Sequence, residues 1–307
     1  MTLQQLKYFI EIVNCGSINK AAEGLFISQP SLSNAVKDLE NEVGVELFIR
    51  TPKGITLTID GVEFLGYARQ VVEQASLLEQ RYLSKKPTRR LCSISTQHYA
   101  FAVNAFVNMV KKTNADEYEF TLRETRTHEI IEDVKTLRSE LGILYMNPFN
   151  RRVLEKLLRE NGLTFHPLFT AKPHIFVSTL NPLAKQEYVT PEDLEEYPCL
   201  SFDQGENNSF YFSEEILSTA YSKKTIRVSD RATIFNLMIG LNGYTISTGI
   251  VSADLNGDNI IAVPLRIEDT IVVGWIAHHS IQLTKQAMMY LEELKQVVSE
   301  YDVLMDG

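Results

Sequence analysis

The fold turns on residues 17–50, SINKAAEGLFISQPSLSNAVKDLENEVGVELFIR. Ser17 stands where it can cap a short helix running to about Leu25, with Ala21 and Ala22 as its small packing face. After a brief turn, Ser28 can cap another helix. Gln29 and Pro30 fall in its first turn, where the missing N–H of a proline is harmless. Leu32, Ala35, Val36, Leu39 and Val43 recur at helical spacing, and Gly44 stands where a C-terminal cap belongs. Ser31, Asn34, Lys37 and Asp38 make up the surface of the same helix.

Upstream, Leu3, Leu6, Ile10 and Val13 mark a first amphipathic helix that Asn14-Cys15-Gly16 ends. Downstream, the β-rich runs 47–50 and 55–58 flank Pro52-Lys53-Gly54, which reads as a hairpin. Three short helices followed by a hairpin make a winged helix-turn-helix over residues 1–60. From Gly61 to about Leu83 the chain is helical again. Phe64, Leu65, Ala68, Val71, Val72, Ala75, Leu78 and Tyr82 give it a broad apolar face. So long a helix has little of its own domain to pack against, so residues 61–88 are expected to pair with a second copy. Lys85-Lys86-Pro87 ends that linker.

Beyond it, strands are expected at 91–95, 120–124, 141–145, 165–169, 174–178, 199–202, 225–228, 244–247, 260–264 and 271–277. Helices are expected at 104–111, 129–137, 192–196, 212–219, 232–239 and 285–299. The alternation points to α/β units with largely parallel sheets.

Composition bounds the function. A hydrophobic share of 44% with 22% charged residues is that of a globular protein, and 307 residues suffice for two domains. No apolar run reaches bilayer length, and MTLQQLKYFIEIV is periodic without the basic start of a signal peptide, so a cytoplasmic protein with no membrane partner is expected. Cys15, Cys92 and Cys199 are far apart and none forms a CxxC. A metal site is therefore not expected. Cys92 and Cys199 read as apolar strand residues more readily than as a redox pair. Up to Pro87 the chain carries nine basic and ten acidic residues, so nearly all of the net −9 lies beyond. Bulk charge does not announce a nucleic-acid binder.

The pattern Ala21-Ala22, Ser28-Gln29-Pro30, Leu32-Ser33, Leu39-Glu40, Gly44, Leu47-Phe48, Arg50, Leu57-Thr58 and Gly61 resembles the LysR-type transcriptional regulators. Its dense, contiguous spacing makes it a specific signal. The sequence departs from that pattern at Lys20, where arginine is common, and in the wing, TPKGIT, which lacks an arginine pair. The resemblance implies an effector-binding domain over residues 89–307, built from two subdomains like those of periplasmic binding proteins. One would hold about 91–166 and 267–307, the other about 167–266. It also implies a homo-oligomer, dimer or tetramer, whose ligand-driven change alters DNA bending or contact with RNA polymerase.

The third helix is expected in the major groove of double-stranded operator DNA, with Ser28, Gln29, Ser31, Ser33 and Asn34 near base edges. Lys20, Lys37, Arg50 and Lys53 are placed to meet phosphates or the minor groove. In open α/β sheets a ligand sits beyond the carboxyl ends of strands. That rule selects Ser95, Thr96, Gln97, Thr125, Thr127, Phe202, Thr245 and Ser247, with Arg126 or a histidine at 98 or 128 adding charge. Hydroxyls and free amides suit a small carboxylate or another polar anion; no cofactor is implied. Two other readings stand beside this one: a metabolic enzyme carrying a helix-turn-helix, and a small-molecule binding protein. Against catalysis, there is no Walker A loop, no GxGxxG after a strand, no GxSxG elbow and no HExxH.

Overall fold

The computed structural model describes residues 1–51, 54–83, 90–251, 257–301 and 303–305. The chain divides into two units, 1–88 and 89–307.

The first unit begins with α1 (Leu3–Cys15), whose N-terminus is closed by a reciprocal pair between Thr2 and Gln5. Gly16 ends it in the left-handed conformation, φ 63°. The buried stripe is Leu6, Phe9 and Ile12. The expected Ile10 and Val13 lie at its margin. α2 (Ile18–Gly24) packs Ala21 and Ala22 inward, but the Ser17 side chain makes no cap hydrogen bond. α3 (Gln29–Val43) buries Leu32, Val36 and Leu39 and ends at Gly44. The wing is the antiparallel pair β1 (Phe48–Thr51) and β2 (Gly54–Leu57). Pro52 and Lys53 at its tip lie outside the described residues.

α4 (Ile59–Leu83) starts two residues before Gly61. Thr58 Oγ1 accepts the Gly61 N–H at 2.8 Å and donates to the Glu46 carbonyl at 2.7 Å. A Cβ at Gly61 would collide with the Leu47 carbonyl, so only glycine lets the helix leave the wing this closely. The expectation that α4 has little of its own domain to pack against is corrected for its first half. Ala68 is buried, and Phe64, Leu65 and Val72 pack on the core of α1, α2, α3 and the wing. The Phe64 ring meets Phe9 edge-on at 5.2 Å. Lys85-Lys86-Pro87 lies outside the described residues.

The second unit contains a six-stranded sheet, ordered β13-β6-β12-β5-β3-β4. Its strands are β3 (Arg90–Thr96), β4 (Tyr118–Glu124), β5 (Leu141–Met146), β6 (Leu163–Ala171), β12 (Ile271–His278) and β13 (Leu304–Met305). A three-stranded sheet, β10-β7-β11, is built from β7 (His174–Ser178), β10 (Thr245–Ser247) and β11 (Ile260–Pro264). β8 (Cys199–Phe202) and β9 (Thr225–Val228) pair separately, linked to the three-stranded sheet's neighbourhood by the Cys199–Tyr244 bridge.

Among the named strands, parallel pairing is confined to β3–β4, β3–β5 and β8–β9, with isolated parallel bridges at Val189–Leu265 and Cys199–Tyr244. The six-stranded sheet is therefore mixed and the three-stranded one antiparallel, rather than largely parallel as expected. The reason is the double crossing: β6 and β12 are antiparallel partners in one sheet, and their continuations β7 and β11 are antiparallel partners in the other. β6 stays in the six-stranded sheet to Ala171, past the boundary expected at 166. A register shift at Val273/Gly274 lets Pro167 sit in the strand. The chain crosses at Lys172-Pro173 and returns between Pro264 and Ile271.

The flanking helices are α5 (Ala100–Lys112), α6 (Thr127–Lys135), α7 (Arg151–Glu160), α8 (Arg231–Leu241) and α9 (Lys285–Val298). α7 was not expected. Its sequence RRVLEKLLRE buries only Leu154 and Leu158, too thin a stripe to stand out. The helix expected at 212–219 is absent. A single 3-10 turn, Phe210–Phe212, gives way to turns in which Leu217 has φ 58°. Residues 192–196 likewise form only a 3-10 turn, Glu192–Leu194.

Candidate functional site

Two regions gather the predicted residues. In the first unit, α3 turns Gln29, Ser31, Asn34 and Lys37 to solvent while Leu32, Val36 and Leu39 are sealed below. Ser28 Oγ accepts the Ser31 N–H at 3.3 Å and lies 2.7 Å from Ser31 Oγ, so both hydroxyls serve the cap. Ser33 is half-buried, and Lys20 is exposed on α2. Arg50 belongs to β1, but its side chain and Lys53 lie outside the described residues. Glu40 Oε1 accepts the amides of Leu47 and Phe48 at 2.8 and 3.1 Å, which fixes the wing against α3. A residue not singled out from sequence is Phe26 in the turn before α3. Its φ is 55° and its side chain is 95% exposed.

In the second unit the strand-end loops close on one another. Gln97 is fully buried: its Nε2 donates to Thr127 Oγ1 at 2.6 Å, and its Oε1 accepts from Tyr99 Oη and the Tyr145 amide. Thr127 N donates in turn to Gln204 Oε1 at 3.2 Å, a tie between the loop after β4 and the segment after β8. Arg126 reaches the same segment, with Nε on the Asp203 carbonyl at 3.0 Å and Nη2 on its carboxylate at 2.8 Å. Its guanidinium lies where a Cβ at Gly205 would stand. Arg231, at the start of α8, binds Glu124 at 3.0 Å.

The centre of this closure is His98. Its ring stacks on Phe202 at 4.0 Å, and its backbone N–H and Nδ1 both meet Glu214 at 2.9 Å. Phe202 N donates to Glu215 Oε1 at 2.9 Å, and Ser213 Oγ to Oε2 at 3.0 Å. Burial, reinforced by the Glu214 charge, pushes the Glu215 carboxyl up to about 8. For His98, burial alone would push the imidazole down. The hydrogen bond to Glu214 and the charges of Glu214, Glu124 and Glu215 outweigh it and hold the ring above its usual range. Beside His98 and Glu214 lies a cavity of about 30 Å³, lined among others by Phe202, Thr245 and Ser247, and a larger one of about 460 Å³ is bordered by Phe202, Gln204, Ser213 and Glu215.

Thus Phe202, Thr245 and Ser247 share a cavity, and Gln97 and Thr127 pair next to it. Thr96 is buried with its hydroxyl on the Gln97 carbonyl at 2.8 Å. Thr125 is turned to Glu129. Ser95 is committed elsewhere: its hydroxyl binds Asp133 at 2.7 Å and Ser139 at 2.8 Å, in a buried cluster with Arg123. Glu214 and Glu215 escape the sequence reading because 212–219 reads as a helix, and Gln204 because it lies two residues past the end of β8 in a loop with no distinguishing pattern. Burial pushes the Cys92 thiol up to about 12 and raises Cys199 as well, which keeps both in the inert thiol form. Among the described residues no His, Cys, Asp or Glu cluster of metal-binding size occurs, and no helix is long and apolar enough to cross a membrane.

A winged helix-turn-helix followed in the chain by an α/β unit of two main sheets and a separate strand pair, with a polar cleft, defines the class of DNA-binding regulators with an effector-binding domain. Residues 3–62 match the bacterial regulatory helix-turn-helix protein model of the lysR family, and residues 112–298 match the LysR substrate binding domain. The HTH-type transcriptional regulator YnfL of Escherichia coli (strain K12) is 26% identical over 288 residues, spanning 90% of this chain and 93% of its own. The Hca operon transcriptional activator HcaR of the same strain is 30% identical over 216 residues, 66% of each chain. Full-length CbnR in complex with its target DNA shares the fold, with a TM-score of 0.53 at 18% identity, covering 97% of this chain and 100% of CbnR. The chain belongs to the LysR family of transcriptional regulators. It is a DNA-binding transcription regulator with a small-molecule effector domain, and the family's members are regulators rather than enzymes.

Proposed function

We propose that the regulator reads operator DNA through the N-terminal half of α3, as a cytoplasmic oligomer whose subunits pair along α4. The observation that carries this reading is the division of α3: a sealed apolar stripe below, and Gln29, Ser31, Asn34 and Lys37 exposed above a capped N-terminus. Gln29 and Asn34 suit adenine edges, Lys37 and Lys20 suit phosphates, and Arg50 and Lys53 extend the contact through the wing. CbnR bound to its target DNA supplies the analogy for the docking.

In the effector domain, the subdomains are the halves carrying the six-stranded and three-stranded sheets, with the ligand cleft where His98, Gln204 and Phe202 meet. The donors there, a backbone amide, an imidazole and a primary amide, suit a small carboxylate. Ligand exchange in that cleft shifts the packing of the two halves and, through the oligomer, contact with DNA or RNA polymerase.

Binding of the full chain to its own upstream duplex and to a scrambled duplex tests the assignment. Gln29→Ala is expected to narrow the difference between the two duplexes. Lys37→Ala is expected to weaken both alike and reduce the salt slope by about one. Equal effects of the two substitutions on both duplexes would remove the distinction between reading and positioning residues.

A further inference from the structure

The carboxylate position of the effector cleft is already filled. Glu214 Oε2 accepts the His98 backbone N–H and Nδ1, both at 2.9 Å, and Oε1 receives His98 Nδ1 at 3.0 Å and Gln204 Nε2 at 3.1 Å. The two side chains are 5% and 4% exposed, His98 and Glu214 respectively. His98 lies just past β3, at the approach to α5, in the loop that the strand-end rule selects for a ligand. Glu214 arrives from the far side of the cleft, in the non-helical segment between β8 and β9. A carboxylate in that loop, bound by a backbone amide, an imidazole and an amide, is the arrangement expected of a bound acid. Here it is supplied by the chain itself.

We infer that Glu214 is a tethered pseudo-ligand: it occupies the site of a small monocarboxylate effector and holds the cleft shut without one. This rests on the reading of that cleft as the effector site. The local backbone supports it. The pattern of residues 212–219 is that of a helix, yet the segment is held in turns with Leu217 at φ 58°, a conformation disfavoured for leucine. Those turns deliver Glu214 to His98 and Glu215 to the Phe202 amide. With Glu214 in place the cavity that His98 and Glu214 line holds about 30 Å³, while the larger space of about 460 Å³ bordered by Phe202, Gln204 and Glu215 is lined by neither of them. An incoming carboxylate that binds these same donors, the His98 amide and imidazole and the Gln204 amide, must take Glu214's place and free the segment that carries it.

The test is chemical rescue in the full-length protein. Propionate has the carboxylate and the methylene that Glu214→Ala removes, with one carbon more. In that variant, propionate is expected to raise the melting temperature saturably, against a matched chloride series. The wild type should show no saturable response in the same range. Glu214→Gln keeps the shape of the side chain and the packing, so it serves even if the alanine variant does not fold. It is expected to bind propionate at least tenfold more tightly than the wild type, and replacing His98 by Ala in the same chain should abolish that gain.

Propionate affinities of Glu214→Gln and wild type that agree within a factor of two would overturn the inference. So would a gain that survives the loss of His98. Operator affinity measured in the same samples separates the two claims. If propionate binds through His98 but operator binding does not respond, the tethered-carboxylate site stands and the effector reading of the cleft falls.

Discussion

Glu214 and Glu215 are neighbours in sequence with separate partners: Glu214 binds His98 across the cleft, and Glu215 binds the Phe202 amide and Ser213. The buried carboxyl of Glu215 ionises at about 8 instead of 4.5, so the fold favours its protonated form. The stability this group contributes is complete below about pH 4.5 and is drained as the pH climbs to about 8. His98 acts in the same direction. Its pKa is held above the usual value, so its pairing with Glu214 is lost as the pH rises through that point. Urea denaturation of the wild type is therefore expected to shift to lower midpoints from about pH 6 to about pH 8.5, and Glu215→Gln should flatten the curve. A Glu215→Gln profile parallel to the wild type would show that the buried carboxyl is not the titrating group. None of this was legible in the sequence, where Glu214-Glu215-Ile216-Leu217 reads as one turn of an ordinary amphipathic helix. Ser28, Gln29 and Gly44 were legible, because a cap and a first turn are set by local chemistry. Ser95 shows the limit of the strand-end rule. It stands on a strand that leads to the cleft, yet its hydroxyl points to Asp133 and Ser139.

Among the elements, α4 divides its apolar residues between a packed face and an exposed one. Phe64, Leu65, Ala68 and Val72 serve the winged domain, whereas Val71, Leu78 and Tyr82 remain 49%, 60% and 70% exposed. Positions 71, 78 and 82 fall on one helical stripe, of the kind that pairs with a second helix. Val71→Lys with Leu78→Lys is expected to turn the oligomer into smaller species by sedimentation, while the helical circular dichroism of the winged domain is retained. An unchanged sedimentation coefficient would place the subunit contact elsewhere. Strands were read well from sequence, since β3, β5, β7 and β12 are apolar runs between turn residues. Their directions were not, because the antiparallel pairing of β6 with β12 is decided by two chain crossings that no local pattern encodes. The helix α7 escaped notice because its burial rests on Leu154 and Leu158 alone.

At the scale of the molecule, the charge distribution sets the demand on assembly. Up to Pro87 the basic and acidic residues nearly cancel, and the net −9 belongs almost entirely to the effector unit. A single winged domain with so few cations is expected to release few counterions and bind DNA weakly; two domains paired along α4, as proposed, would multiply that affinity without a new contact. The most direct test of this account is the affinity of the full chain for its own upstream duplex, against a scrambled duplex, at two salt concentrations. The measurement is run beside the Val71→Lys, Leu78→Lys variant. The account predicts tighter binding to the upstream duplex, an affinity that falls as salt rises, and a loss of at least about tenfold in the variant. Equal affinity for both duplexes, or a variant that binds as well as the wild type, would contradict it.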